Sequence, residues 1–214
     1  MKRLIIGTRG SDLALWQANF IKDKLAAVGV ESELKIIKTQ GDKILNLRLD
    51  KLEGKGFFTK ELEEELLAGT IDLAVHSHKD LPTTHPAGLV IAAVPEREDA
   101  SELLLILKDC VDVTQKLSLK TGAMVGTSSN RRKAQLLALR TDLNIEDLRG
   151  NVPTRIQKLR DEKYDAIMLA TAGVKRLGID LSEFHVEVLE TTELVPAPAQ
   201  GALAIQIRDH NPEL

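Results

Sequence analysis

The stretch "VGTSSNRRKAQLLALR" (Val125–Arg140) decides the fold because it joins an apolar run, a turn and a second, periodic apolar segment without interruption. The pattern predicts a β-strand that ends at the hydroxyl residues and an α-helix that begins directly after them. Two adjacent arginines, Arg131 and Arg132, fall at the start of this helix, where the helix dipole disfavours cations. The stretch therefore predicts a negative group beside the two guanidinium groups.

The same alternation of strand and helix patterns extends along the whole chain. Short apolar runs such as "RLIIGT", "IDLAVHS" and "DAIMLA" alternate with segments whose apolar residues recur at helical spacing. Ser11 is the expected N-cap of the first helix. The buried face of that helix is expected to consist of Leu13, Trp16, Phe20 and Ile21. This alternation predicts an α/β fold.

Two polar or proline-rich segments, near residues 94–101 and 191–201, interrupt this alternation. Both are candidate crossovers between two lobes, with the chain returning to the first lobe after the second crossover. The predicted lobes are 1–95 plus 194–214 and 96–193. Each lobe is expected to contain a mixed, mostly parallel sheet flanked by helices.

Composition limits the classes of protein to which the chain can belong. The net charge of −3 over 214 residues argues against a general nucleic-acid binder, which is normally basic. A single cysteine, Cys110, excludes an internal disulfide and fits a reducing compartment. The N-terminal apolar run is too short for a signal peptide, and no run is long enough for a membrane span. A soluble cytoplasmic protein is expected.

Arginine residues follow several of the predicted strands. Ligands of open α/β sheets bind outside the carboxyl ends of the strands, where helix N-termini also offer N–H groups to anions. Guanidinium groups there can bind carboxylate or phosphate through two hydrogen bonds. Taken singly, each arginine also fits a surface or salt-bridging residue. Together they predict an anion site formed by Arg9, Arg131, Arg132, Arg149, Arg155 and Arg176.

The segment "LAVHSHKDLPTT" places a carboxylate at the end of another predicted strand. Asp80 could be an ordinary turn former, but near the arginines it would be an acid in a cationic pocket that stabilises a positive charge on a substrate. His76 and His78 are two residues apart and would share a face of the strand. With no further ligands at suitable spacing, packing or polar roles are favoured for both histidines, and no metal is expected.

Seven blocks of the sequence, in order along the chain, resemble the porphobilinogen deaminase (hydroxymethylbilane synthase) family. They are "TRGSDLALWQA", "GKGFFTKELE", "DLAVHSHKDLPT", "VGTSSNRRKAQL", "LRGNVPTR", "YDAIMLATAGVKRLG" and "PAPAQGALAI". The resemblance implies two lobes like those of type II periplasmic binding proteins, with an active-site cleft between them. It also implies a transferase of heme biosynthesis that condenses four porphobilinogen units, releases ammonia and forms hydroxymethylbilane.

The resemblance assigns roles to individual residues. Asp80 matches the catalytic carboxylate, which would stabilise the azafulvenium-like cation left when ammonia departs. The six arginines match the residues that bind the acetate and propionate groups of the ligand. Further cofactor and substrate contacts are implied for Ser11, Ser77, Lys79, Thr127, Ser128 and Ser129. Lys55 and Phe58 match a loop and a ring-stacking position, and Gln200 lies where the chain re-enters the first lobe.

The family uses a dipyrromethane cofactor, which is joined by a thioether bond to a cysteine in a third domain. The 214 residues match domains 1 and 2 only, so that domain and its cysteine are expected to be missing from this chain. Cys110 does not match the attachment position and is interpreted as an ordinary buried or partly buried thiol. The resemblance further implies a monomer whose partner is its small-molecule substrate, porphobilinogen.

Two alternatives to a deaminase remain at this point. One is a two-lobed protein that binds a polycarboxylate without chemistry, and the other is a module that binds nucleotides or nucleic acid. A pure polyanion binder gains nothing from Asp80 in its pocket, so this residue distinguishes an enzyme from the first alternative. The negative net charge and the 3% aromatic content weigh against the second.

Overall fold

The computed structural model describes residues 3–43, 58–84 and 86–210. The chain folds into two compact units, Met1–Glu98 with Gly201–Leu214 (unit 1) and Asp99–Gln200 (unit 2). The second crossover therefore lies seven residues later than the boundary expected after residue 193. Residues 194–200 belong to unit 2 because Val195 hydrogen-bonds to Gln135 and Gln200 hydrogen-bonds to Ala100 and Ser101.

Unit 1 contains a five-stranded sheet in the order β2-β1-β3-β10-β4. The strands are β1 (Leu4–Thr8), β2 (Ser32–Ile36), β3 (Leu73–Ser77), β4 (Leu89–Ala93) and β10 (Leu203–Arg208). The helices are α1 (Asp12–Ala27), α2 (Gln40–Lys43) and α3 (Lys60–Leu67). β1 pairs in parallel with β2 and β3, whereas β10 is antiparallel to both of its neighbours.

Unit 2 repeats this arrangement with a sheet in the order β7-β6-β8-β5-β9. Its strands are β5 (Glu102–Ile106), β6 (Met124–Gly126), β7 (Asn144–Glu146), β8 (Ala166–Ala170) and β9 (His185–Leu189). Its helices are α4 (Asn130–Leu139), α5 (Val152–Arg160) and α6 (Thr171–Leu177). β5 is antiparallel to both of its neighbours, so it occupies the position that β10 has in unit 1.

Four of the five strands in each sheet run in one direction, which confirms the mixed, mostly parallel architecture. The exceptions, β10 and β5, are the strands that the chain enters directly after each crossover. β5 is buried along its full length. Alternate residues of β5 pack into separate apolar clusters, Leu103 and Leu105 in one and Leu104 and Ile106 in the other, because successive side chains point to opposite faces.

The expected buried face of α1 is partly wrong. Ile21 is buried as expected, but Trp16 is 37% exposed. The Trp16 ring instead stacks on Phe20 with centroids 5.4 Å apart. Gln17 and Ala18 take the buried positions. The face of α1 that packs on the sheet is thus centred on Gln17, Ala18 and Ile21, one to two residues away from the face that the apolar pattern predicted.

Gly7 lies in the middle of β1, where helix α3 approaches the sheet closely. A Cβ atom at this position would overlap Cδ1 of Ile71 and lie 3.2 Å from Cδ2 of Leu62, and both side chains are buried. We expect Gly7→Ala to lower the free energy of unfolding by about 1–3 kcal/mol, because the packed core must shift. Gly10→Ala is the control, since its Cβ would lie 3.4 Å from Ile36. Equal midpoints for both variants in urea unfolding would contradict the prediction.

Candidate active site

The carboxyl ends of β1 and β3 lie side by side in unit 1. The two strands are parallel, with Ile6 opposite Leu73 and Gly7 opposite Ala74. The residues that follow them, Arg9 and the 3₁₀ turn His78–Asp80, therefore leave the sheet at the same edge. Ser11 begins the next element as predicted, because its Oγ accepts a hydrogen bond from the amide of Ala14 at the start of α1.

A pocket at this edge of unit 1 brings together five of the residues that the sequence predicted. Its lining includes Arg9, Ser11, Phe58, Ser77 and Asp80. The guanidinium carbon of Arg9 lies 4.2 Å from the centroid of the Phe58 ring, a cation–π contact that positions both side chains. The Asp80 carboxylate is exposed at the end of its turn. This edge of unit 1 thus presents one carboxylate beside one guanidinium group.

Two of the predicted residues lie elsewhere. Lys79 is exposed in the same 3₁₀ turn but does not line the pocket. Lys55 lies outside the described residues. His76 and His78 do not share a strand face, because His76 is buried in β3 whereas His78 begins the turn that follows.

Two further polar features of the pocket were missed by sequence reasoning. Nε2 of the buried Gln17 donates to Oγ of Ser77 at 2.9 Å, and both residues line the pocket. His76 also lines it, and its Nε2 lies 3.1 Å from Oε1 of Gln206, whose Nε2 donates to Glu63 at 3.2 Å. All of these groups except Ser77 are buried. The sequence could have indicated Gln17, because it is a polar residue on the otherwise apolar face of α1.

Unit 2 has an equivalent edge, formed by the parallel strands β7, β6 and β8. The segments that follow them contain Thr127–Arg132, Arg149–Arg155 and Thr171–Arg176. Ser129 caps α4 by accepting a hydrogen bond from the amide of Arg132, and Ser128 Oγ donates to the carbonyl of Leu148 at 3.0 Å. The buried Thr127 accepts from the amide of Ser129. The three hydroxyls therefore shape the turn that carries the arginines.

The negative group that the arginine pair requires is Glu102, the first residue of β5. One carboxylate oxygen of Glu102 lies 2.5 Å from Nη2 of Arg131, and the other lies 2.6 Å from Nη2 of Arg132. Burial alone would raise the pKa of Glu102, but the hydrogen bonds and charges of Arg132 and Arg131 outweigh it and hold that pKa below its usual range. The predicted anion at this turn is thus supplied, at least in part, by the protein itself.

Arg132 retains one donor without a partner. Its side chain is buried, and its Nη1 donates to the carbonyl of Met168 at 3.1 Å. Its Nε is buried and makes no hydrogen bond. The side chain of Arg131 is 26% exposed, whereas that of Arg132 is 7% exposed, so Arg131 is the member of the pair that offers most surface to a ligand carboxylate.

The remaining predicted residues of unit 2 are held in different ways. Arg155 Nε donates to the carbonyl of Gly150 at 2.8 Å, which fixes the loop that precedes α5. Arg176 is buried on α6, and Arg149 is half-buried. Gln200 is fully buried, and its Nε2 donates to the carbonyl of Ala100 at 2.9 Å. The side-chain amide of Gln200 therefore holds together the two segments at which the chain enters and leaves unit 2.

Cys110 is a half-buried thiol, as the sequence indicated. Its Sγ donates to Oδ1 of Asp165 at 3.3 Å. Burial, followed by the hydrogen bond and charge of Asp165, raises the pKa of Cys110 to about 11. The thiol is therefore protonated at neutral pH and is a poor nucleophile.

We expect Cys110 to react slowly with iodoacetamide. At pH 8 its thiolate fraction is about 100-fold lower than that of a thiol with the ordinary value of 9.0, and the alkylation rate should fall in proportion. The rate is measured by mass spectrometry for the native chain and for the chain in denaturant. Asp165→Asn should increase the native rate, because a carboxylate that favours the protonated thiol is removed. Equal rates in native and denatured chains would contradict this prediction.

Within residues 3–43, 58–84 and 86–210, no helix has the length and apolar character needed to cross a membrane. The same part of the chain contains no cluster of three or more His, Cys, Asp or Glu side chains placed to hold a metal ion.

Comparison with known proteins identifies close relatives of the sequence. Residues 4–214 match the family model described as porphobilinogen deaminase, dipyromethane cofactor binding domain. A porphobilinogen deaminase of Nitratidesulfovibrio vulgaris (strain DP4) is 53% identical over 217 residues, which cover 100% of this chain and 67% of the relative. The chain thus spans about two thirds of the length of this relative.

Solved structures share the fold at low sequence identity. An ancestral cationic amino acid solute binding protein matches with a TM-score of 0.56 and 14% identity, covering 99% of this chain and 84% of its own. A periplasmic binding protein of Salmonella typhimurium matches with a TM-score of 0.51 and 11% identity, covering 100% and 88%. These matches confirm the expected two-lobed, binding-protein-like fold.

Proposed function

Since the chain belongs to the porphobilinogen deaminase family, we propose that it condenses porphobilinogen units with release of ammonia to form hydroxymethylbilane in tetrapyrrole biosynthesis. The observation that supports this most strongly is the pocket of unit 1, in which the Asp80 carboxylate lies among polar side chains and one arginine. In a site that only binds carboxylates, the Asp80 carboxylate would weaken binding, because it repels the carboxylates of the ligand.

Asp80 is proposed as the catalytic residue. Porphobilinogen carries a primary amine that is cationic at neutral pH, and the departure of ammonia leaves a positive charge on the pyrrole ring. A carboxylate held at the end of a short turn stabilises both cations, and it can accept the proton that is lost when the new carbon–carbon bond forms. Arg9, which contacts Phe58, binds a carboxylate side chain of the ligand in the same pocket.

The residues at the α4 edge of unit 2 fit a dipyrromethane cofactor. The Arg131 side chain is 26% exposed beside the hydroxyl turn, so a carboxylate of the cofactor can reach its guanidinium group. The residues proposed to hold the carboxylates of cofactor and substrate are Arg131, Arg132, Arg149, Arg155 and Arg176, together with Thr127, Ser128, Ser129 and Gln200. Dipyrromethane supplies the acidic two-ring primer to which the substrate units are added.

The remaining proposals concern partners and location. We infer a monomer that binds no nucleic acid and acts in the cytoplasm. The net charge of −3 and the single cysteine support this assignment. Light scattering after size exclusion gives the oligomeric state directly.

A turnover assay tests the proposed function. The chain is mixed with synthetic dipyrromethane and porphobilinogen, and ammonia and the linear tetrapyrrole are measured together over time. We expect four ammonia molecules for each hydroxymethylbilane. Binding of both compounds without ammonia release would identify a polycarboxylate-binding protein instead.

A further inference from the structure

A single buried carboxylate serves both arginines at the start of α4. Glu102 is 0% exposed, and each of its two oxygens contacts one guanidinium group, at 2.5 Å for Arg131 and 2.6 Å for Arg132. Glu102 comes from β5, whereas both arginines come from the first turn of α4. One side chain of the sheet thus fixes two adjacent side chains of the helix.

Each guanidinium group has a second anchor on the protein backbone. Nη1 of Arg131 donates to the carbonyl of Val195 at 2.5 Å, and Nη1 of Arg132 donates to the carbonyl of Met168. A planar guanidinium held by two of its nitrogens has a defined plane as well as a defined position. The orientation of both groups is therefore set before any ligand binds.

The network also sets the local charge. Two guanidinium groups and one carboxylate leave a net charge of +1 beside a helix N-terminus, which itself favours anions. Without the carboxylate, two adjacent cations would repel each other, and long side chains would lose conformational entropy when a ligand ordered them. Glu102 reduces both the repulsion between the cations and the entropy that is lost on binding, so the arginine pair is preorganised for a ligand.

We propose that Glu102 is a positioning residue, which makes the arginine pair selective for a ligand with two carboxylates at a fixed spacing over a simple anion. This inference rests on the proposed function, because dipyrromethane supplies such a pair of carboxylates. A fixed pair of guanidinium groups recognises the distance between two anionic groups, whereas a mobile pair responds mainly to total charge. Glu102 itself does not contact the ligand.

The variant Glu102→Gln tests this role. Glutamine keeps the shape of the side chain, but an NH2 donor replaces one of the two oxygens, so one guanidinium group faces a donor instead of an acceptor. We expect the affinity for a synthetic dipyrromethane with acetate and propionate groups to fall by about tenfold or more, the equivalent of one charge-assisted contact. The affinity for inorganic phosphate should stay the same or rise, because the net charge becomes more positive. Titration calorimetry with the 214-residue chain measures both.

Two further variants control this experiment. Glu162→Gln, at an exposed residue just after α5, makes the same change in charge within unit 2 and should alter neither affinity. Glu102→Asp keeps the charge but is one methylene shorter, so it should weaken dipyrromethane binding without strengthening phosphate binding. If Glu102→Gln does not fold, Glu102→Asp carries the test alone.

The outcomes separate this inference from the proposed function. A change in the ratio of the two affinities by about tenfold supports the positioning role. A parallel loss for both ligands, or an unchanged ratio in Glu102→Gln and Glu102→Asp, overturns it. A wild-type chain that binds phosphate but not dipyrromethane overturns the proposed function, and this inference with it.

Discussion

Asp80→Asn is expected to abolish ammonia release from porphobilinogen while the fold and the binding of anionic ligands are retained. The asparagine amide is nearly isosteric with the carboxylate, and residue 80 is exposed at the end of a turn, so unit 1 should keep its stability. The amide carries no charge and cannot stabilise the cation that forms when ammonia departs. Loss of one preorganised electrostatic partner typically costs about 10²- to 10³-fold in rate.

The change should appear in kcat rather than in the affinity for porphobilinogen. Ammonia release is measured at saturating substrate, and unfolding is followed by circular dichroism. Asp23→Asn, an exposed carboxylate on α1, is the matched control and should retain the wild-type rate. Normal turnover in Asp80→Asn would remove this residue from the mechanism.

Removal of the arginine pair together with its counter-ion should eliminate dipyrromethane binding without unfolding unit 2. Arg131→Leu and Arg132→Leu together delete two charge-assisted contacts, each contributing about 1.5–3 kcal/mol. Affinity should therefore fall by about 100-fold or more. These two changes alone would leave Glu102 buried and unpaired, at a cost of about 3–5 kcal/mol. Glu102→Leu as a third change removes this penalty, because an apolar replacement of a whole buried ion network is often tolerated.

The comparison between the double and the triple variant separates loss of binding from loss of stability. The double variant should unfold at a lower temperature than the wild type, and the triple variant should regain most of this loss. Neither variant should bind the dipyrromethane with acetate and propionate groups in a calorimetric titration. Wild-type affinity in a folded triple variant would show that the ligand binds elsewhere.

Much of the fold could be predicted because local patterns determine it. The apolar runs "RLIIGT", "IDLAVHS" and "DAIMLA" form β1, β3 and β8, and Ser11 caps the helix that follows its strand. These features depend on neighbours in sequence, so a single chain reveals them. The prediction for Trp16 was wrong because apolar periodicity indicates that a helix has an apolar face, but it does not determine which side chains of that face pack against the sheet.

The site was predictable only in part because its key contacts join distant segments. Glu102 stands at the start of the run "ELLLIL", where a charged residue is an ordinary strand boundary. Its arginine partners lie 29 and 30 residues away, and only the pairing of the strands brings them together. The same applies to His76 and Gln206, which are 130 residues apart in the sequence.

Native mass spectrometry of the chain with dipyrromethane and porphobilinogen shows whether the chain condenses porphobilinogen or only binds it. Complexes are recorded at intervals after mixing, with Asp80→Asn as the parallel sample. We expect a series of complexes in which each step adds the mass of one porphobilinogen minus one ammonia, and we expect this series to be lost in the variant. Complexes that gain only intact porphobilinogen, alike in both proteins, would contradict this expectation and identify a binding protein without deaminase chemistry.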